Sequence, residues 1–102
     1  MKQIVTILKP YVAEKVVSAL SEIPFDGPCL VREVKGYGRQ KNYLDHYQGN
    51  EFLMAYLPKV LLQFWIDDSY VDQALQTIIT HARTGRIGDG KIFVLSGFPI
   101  SF

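Results

Sequence analysis

Two stretches of the chain share one spacing of apolar residues, and each stretch lies between two strand-like segments. The apolar residues recur at i, i+4, i+7, i+8 and i+11, which is one face of an amphipathic helix. They are Val12, Val16, Ala19, Leu20 and Ile23 in the first stretch, and Val71, Leu75, Ile78, Ile79 and Ala82 in the second. Segments 3–8 and 59–67 precede the two helices, and segments 29–35 and 91–95 follow them. The chain is therefore predicted to repeat a strand–helix–strand unit.

A doubled unit of this kind predicts an α+β fold of the ferredoxin-like, split-βαβ type, with order βαββαβ. We expect the second helix to begin with a capping box at Ser69 and to end with Gly85 as its C-cap. Two helices cover only one face of a sheet, yet Leu61 and Trp65 place apolar groups on the other face of the third strand. A second copy of the chain is the economical cover, which predicts a homo-oligomer.

Composition indicates a single domain over residues 1–102, since 48% of the 102 residues are hydrophobic and 21% are charged. A formal net charge of +1 provides no field for nucleic acid or for an anionic membrane. No apolar run is long enough to insert into a membrane and no signal peptide is evident, so we expect a cytoplasmic protein. Cys29, His46 and His81 lack the spacing of metal ligands, so no metal site is predicted.

Residues 36–56 follow neither a helical nor a strand period and are predicted to form a long loop. Aromatic residues recur along this loop: Tyr37, Tyr43, Tyr47, Phe52 and Tyr56. A loop of this length is usually functional, and its aromatic side chains suit contact with a partner. The alternative is a hairpin extension that binds nothing.

The segment 84–94 contains three glycines, Gly85, Gly88 and Gly90, followed by Lys91. Glycine backbone can turn its N–H groups toward an anion, and this pattern predicts a phosphate-binding loop. The spacing matches most of a Walker A motif, but Ile92 occupies the position of the Mg²⁺-binding Ser or Thr, and a strand follows. A P-loop NTPase is therefore disfavoured, while a simple glycine-rich turn stays open as the alternative.

Three blocks of residues, at 35–41, 57–60 and 84–94, together with the opening 7–11, resemble the PII signal-transduction (nitrogen regulatory) family. The resemblance implies a non-enzymatic homotrimer that binds ATP, ADP or AMP between its subunits. It also implies that residues 36–56 are the T-loop, which docks on a membrane transporter or a metabolic enzyme.

The resemblance also assigns roles to individual residues. It implies that nucleotide is bound by Gly36, Tyr37, Gly38, Arg39, Gln40, Gly88, Asp89, Gly90 and Lys91. Gln40 would ligate Mg²⁺ bound with 2-oxoglutarate, and Lys59 would pair with a carboxylate of that effector. The partner-facing residues of the T-loop would include Tyr43, His46, Tyr47 and Phe52.

The chain departs from the family pattern at several positions. Phe52 stands where uridylylated members have Tyr, so that modification is not expected, and Gln63 stands where a Glu is common. The sequence ends at Phe102 without the family's Arg-x-Arg-Thr-Gly-Glu segment, which favours a divergent relative that serves another transport process. A divalent-cation-tolerance protein of the CutA type is the alternative, and a nucleotide hydrolase using Asp89 and Gln40 has no recognisable nucleophile.

Overall fold

The computed structural model describes residues 1–39, 54–86 and 88–102, in which four strands and two α-helices follow one another. In chain order the elements are β1 (Lys2–Leu8), α1 (Pro10–Leu20), β2 (Asp26–Arg39), β3 (Met54–Ile66), a 3₁₀ turn (Asp68–Tyr70), α2 (Val71–Ala82) and β4 (Gly90–Ser96). None of the helices in these ranges is long and apolar enough to cross a membrane.

The strands form one sheet with the order β2-β3-β1-β4, and all neighbouring strands are antiparallel. Strands β1 and β2, which α1 connects, therefore run parallel to each other with β3 inserted between them. This arrangement confirms the predicted ferredoxin-like α+β fold.

Both helices pack on one face of the sheet, where alternate residues of the central strands are buried. The core consists of Ile4, Leu8, Val12, Ala13, Val16, Leu20, Ile23, Val60, Leu62, Phe64, Ile66, Ala74, Ile78 and Ala82. Within β3 the period of two separates buried Leu62 and Phe64 from the partly exposed Leu61 and Trp65. Leu61 and Trp65 thus lie on the face opposite the helices, as predicted.

This opposite face, which we call the open face, carries further apolar groups from neighbouring strands. Val5 is in register with Phe93, and Ile7 is in register with Leu61. Phe93 is 44% exposed and Leu95 is 48% exposed. The open face is therefore apolar and uncovered in a single chain.

Strands β2 and β3 are longer than predicted, so residues 36–39 and 54–56 of the predicted loop are strand instead. Their pairing continues from Lys35↔Pro58 through Arg39↔Met54, and the rings of Tyr37 and Tyr56 lie 4.6 Å apart between centroids. Glycines at 36 and 38 and a proline at 58 obscure a strand pattern in the sequence. Cross-strand pairing, which involves residues far apart in the sequence, overrides that local signal.

The ends of α2 also differ from the prediction. Asp67, rather than Ser69, caps the preceding 3₁₀ turn, since its carboxylate accepts a hydrogen bond from the Ser69 N–H at 3.0 Å. The helix ends at Ala82, so Gly85 is not its C-cap. Its buried residues are Ala74, Ile78 and Ala82; Val71 and Leu75 are partly buried against the core, and Ile79 is 37% exposed.

Candidate functional site

The glycine-rich segment lies where the ends of β1 and β4 meet. Leu8 at the end of β1 is in register with Gly90 at the start of β4. Lys9 therefore lies beside Asp89, and their side chains form an ion pair at 3.1 Å between Nζ and Oδ1. Both side chains are mostly buried, with exposed fractions of 17% and 24%. This pairing brings the residue after β1 into the glycine-rich loop 84–91.

The carboxylate of Asp89 organises the first half of this loop. Its Oδ2 accepts hydrogen bonds from the backbone N–H groups of Thr84 at 2.8 Å and Gly85 at 3.0 Å. Its Oδ1 accepts from the Thr84 hydroxyl as well as from Lys9. The bonds from Thr84, and then those from Lys9 and Gly85, hold the pKa of Asp89 well below its usual range. Asp89 is therefore ionised, and its charge is neutralised within the protein.

Two glycines in the loop are needed for different reasons. Gly88 has a φ of +82°, a left-handed conformation that side chains with a Cβ rarely adopt. A Cβ added at Gly90 would lie 2.8 Å from the carbonyl oxygen of Ile7 on the adjacent strand. Gly88 thus allows the chain to turn, whereas Gly90 allows β4 to approach β1.

The loop also touches the long β2–β3 ribbon. The ammonium of Lys59, on β3, lies 3.5 Å from the carbonyl oxygen of Gly88. On β2, Gly36 leaves room for the Lys59 stem, since a Cβ there would lie 3.3 Å from Cγ of Lys59. The structure therefore brings together three of the predicted site residues from separate parts of the sequence.

The open face also carries polar side chains, among them Lys91. Lys91 is in register with Ile7, and its side chain is exposed, while its carbonyl accepts a 3.0 Å hydrogen bond from the buried Thr6 hydroxyl. Farther along the sheet, the Arg32 guanidinium donates to Oε1 of Gln63 at 3.2 Å. The open face thus presents exposed cations beside its apolar surface.

Other predicted site residues are placed only in part. Gly38 and Arg39 belong to the paired end of β2. Gln40, Tyr43, His46, Tyr47 and Phe52 lie outside the described residues. Within the described ranges no group of three or more His, Cys, Asp or Glu side chains could hold a metal ion.

Sequence reasoning missed the roles of Lys9 and Thr84 in holding the loop. Lys9 lies 80 residues before Asp89, so no local spacing connects them. A signal did exist for Thr84, because a Thr before a turn commonly bonds the backbone two residues on, and here its hydroxyl accepts from the Arg86 N–H at 3.3 Å. Cys29 is half-buried, and burial raises the pKa of its thiol, which fits a structural residue.

Comparison with known proteins assigns the chain to a family. The family model described as Nitrogen regulatory protein P-II matches residues 1–97. Nitrogen regulatory protein P-II 1 of Escherichia coli (strain K12) is 47% identical over 94 residues, which cover 92% of this chain and 83% of that protein. The Nitrogen regulatory protein P-II proteins of Klebsiella oxytoca and Rhodospirillum rubrum match with the same identity and coverage. The resemblance in the sequence is thereby confirmed, and the match favours it over a CutA-type protein.

Proposed function

The chain belongs to the nitrogen regulatory protein P-II family, and on this premise we propose that it binds an adenine nucleotide and regulates a target protein. Proteins of this family are signal-transduction regulators rather than enzymes, and they bind adenine nucleotides and 2-oxoglutarate. In our proposal the nucleotide phosphates lie against loop 84–91, and the β2–β3 ribbon transmits the bound state to the partner.

The contact between Lys59 and Gly88 is the observation that carries this proposal. It joins the loop expected to hold the phosphates to the base of the ribbon expected to contact the partner, at 3.5 Å. A ligand at this point contacts both elements at once. Different ligands can therefore favour different ribbon conformations, which is a shift of population between existing states.

The residues near this contact have the chemistry that a polyphosphate requires. The left-handed turn at Gly88 exposes backbone without a side chain, and Lys91 supplies a positive charge. Asp89 serves indirectly, because its carboxylate is already engaged by Thr84, Gly85 and Lys9. We propose that Gly36, Tyr37, Gly38 and Arg39 close over the nucleotide from the ribbon side.

The open face provides the proposed oligomer interface. It carries apolar groups that a single chain leaves exposed, and a homotrimer, as expected for the family, would bury them. The nucleotide would then lie in a cleft between subunits. We propose a cytoplasmic trimer whose T-loop acts on a membrane transporter or a metabolic enzyme.

A second ligand is proposed for the same region. The amide of Gln40 would help to hold Mg²⁺ with 2-oxoglutarate, and Lys59 would pair with a carboxylate of the effector. Because Lys59 already contacts Gly88, binding of this anion would exchange one contact for another. A thermal-shift screen of ATP, ADP and AMP, with and without Mg²⁺ and 2-oxoglutarate, tests this pairing of ligands.

Calorimetric titration of ATP, ADP and AMP into the wild type and a Lys91→Ala variant tests the phosphate site. We expect the variant to bind ATP at least about tenfold more weakly, since it loses a charge-assisted contact worth more than about 1.4 kcal/mol. Lys15→Ala is the matched control, because Lys15 is an exposed lysine on α1. Equal affinities in all three proteins would refute the assignment of the phosphates to this loop.

Deletion of residues 42–52 tests the role of the long loop. The deletion leaves the paired ends of β2 and β3 in place, so we expect the same oligomer by sedimentation and no binding of the partner. Dissociation of the oligomer would show that the loop has an assembly role instead.

A further inference from the structure

The register of the sheet places a cation at each end of one row of side chains on the open face. Arg32 on β2 is in register with Leu61 on β3. Ile7 on β1 is in register with Leu61 on one side and with Lys91 of β4 on the other. Neighbouring strands lie about 4.8 Å apart, so about 14 Å separates the two cationic residues across the sheet. Within one chain, apolar side chains thus lie between Arg32 and Lys91.

Neither end of this row has an acidic partner. Both cations are exposed in a single chain, and neither forms an ion pair with a carboxylate of the described residues. The guanidinium of Arg32 instead donates to the neutral Oε1 of Gln63 at 3.2 Å. A cation that a subunit interface covers needs a compensating anion, because burial of an unpaired charge is costly. The cationic ends of the row therefore call for an anion once the open face is covered.

The two edges of the sheet provide the two surfaces that a trimer needs. In a cyclic trimer each copy joins its neighbours through two different patches. The outer strands of the described sheet are β2 and β4, and a threefold axis along the strands brings β2 of one copy beside β4 of the next. Strand β2 runs parallel to β1, whereas β4 runs antiparallel to it. The two edges would therefore meet as an antiparallel pair, like every other pair in the sheet.

The side chains along these two edges match in level and in chemistry. A rotation moves no residue along its axis, so each row of one copy continues into the same row of the next. In the row beside the cationic one, Leu30 on β2 and Phe93 on β4 are linked through Gln63 and Val5. Leu30 is 51% exposed and Phe93 is 44% exposed, so they would cover each other. In the cationic row, the same continuation brings Arg32 beside the next copy's β4.

We propose that Arg32 of one copy completes the phosphate site that Lys91 of the neighbouring copy begins. The inference rests on the proposed function, in which loop 84–91 holds the phosphates of a nucleotide. Two cations opposite each other on adjacent strands repel, whereas a polyphosphate between them makes a charge-assisted contact with each. The planar guanidinium of Arg32 suits a phosphate, because its N–H groups match two phosphate oxygens. A nucleotide bound in this way contacts two copies and stabilises their association.

Calorimetric titration of ATP into single variants tests the contribution of Arg32. We expect Arg32→Ala to bind ATP at least about tenfold more weakly, and Arg32→Lys, which keeps the charge, to lose less. Lys35→Ala is the matched control, because Lys35 is exposed on the same strand but belongs to the other face of the sheet. An equal loss with Lys35→Ala would overturn the inference, since the effect would follow net charge alone.

Comparison with Lys91→Ala separates this inference from the proposed function. Weaker binding with Lys91→Ala but not with Arg32→Ala would overturn the role of Arg32 and leave the phosphate loop in place. Unchanged binding in both variants would overturn the proposed function itself.

Mixed trimers show whether Arg32 acts across the interface. Chains with Lys91→Ala and chains with Arg32→Ala are co-expressed with different tags, and trimers that carry both tags are purified. Each mixed ring has one junction at which an intact Lys91 meets an intact Arg32. We therefore expect one ATP site of wild-type affinity in each mixed trimer and none in either variant alone. Absence of that site would overturn the proposal, and so would a wild type that sediments as a monomer in saturating ATP.

Discussion

Loop 84–91 is attached to the rest of the molecule in two contrasting ways. Its first half is held by the Asp89 cluster, which consists of Asp89, Lys9, Thr84 and the N–H of Gly85. Within the residues that the structure describes, the hydrogen bond that joins it to the β2–β3 ribbon is the 3.5 Å contact between Lys59 and the Gly88 carbonyl. The loop is therefore firmly placed on the body of the domain and loosely joined to the ribbon.

The chemistry of the two attachments explains their difference. The bonds of the Asp89 cluster are charge-assisted, and those from Lys9 and Thr84 are partly buried, while the bond from Gly85 is exposed. The Lys59 contact involves a neutral acceptor at the upper limit of hydrogen-bond length and is open to solvent. A ligand can therefore replace the second attachment without disturbing the first, as the proposed signalling requires.

The largest effect on stability is expected from Gly90→Ala, at the junction of the loop with β4. The new Cβ would lie 2.8 Å from the carbonyl oxygen of Ile7, so a strand must shift. Urea denaturation should show a loss of about 1–3 kcal/mol, as for an overpacked site. Lys91→Ala, one residue farther on, is the control and should leave the stability unchanged. Equal stability of the two variants would mean that the strands shift to accommodate the new Cβ without a measurable loss of stability.

Thr84→Val should loosen the Asp89 cluster while preserving the shape of the side chain. Asp89 loses the hydroxyl bond that contributes most to its low pKa, so that pKa should rise toward its ordinary value. An NMR titration of the carboxyl carbon measures the change. The control is Thr77→Val, since the Thr77 hydroxyl donates to the Gln73 carbonyl one turn earlier in α2, far along the chain from Asp89. An unchanged pKa of Asp89 in Thr84→Val would show that the Thr84 hydroxyl does not stabilise the ionised carboxylate.

Acid should weaken the firm attachment, because the pKa of Asp89 is lower in the folded chain than in the unfolded one. Its contribution to stability is complete above the unfolded pKa, near about 4, and is lost as the pH falls below it. Asp89→Asn should therefore lower the free energy of unfolding by a constant amount between pH 5 and 7, as rough bounds, and by less in stronger acid. If the difference in unfolding free energy between the wild type and Asp89→Asn grew in acid, the explanation would be wrong.

The smallest effect on stability is expected from Lys59→Met, which removes the loose attachment but keeps the apolar stem beside Gly36. The free energy of unfolding should change by no more than about 0.5 kcal/mol. Amide hydrogen exchange of Gly88 and of the base of the ribbon should become faster in the absence of ligand. Unchanged exchange would show that the contact with Gly88 does not join the two elements.

Much of this fold could be predicted from periodicity alone. The period of two in β3 separated its two faces correctly, and the helical spacing of the two amphipathic segments located both helices. The same patterns could not show that β2 and β3 pair as far as Arg39 and Met54, because that pairing depends on partners distant in the sequence.

Some features of the candidate site could likewise be predicted from the sequence, and others depend on the folded sheet. Residue type alone identified a glycine loop followed by Lys91, because glycine readily adopts the left-handed backbone found at Gly88 and most other residues do not. It could not distinguish Gly90, whose requirement comes from the Ile7 carbonyl on another strand, or give Asp89 its organising role. Those properties arise when the antiparallel pairing of β1 and β4 brings Lys9 beside Asp89, a contact across 80 residues that requires the folded sheet.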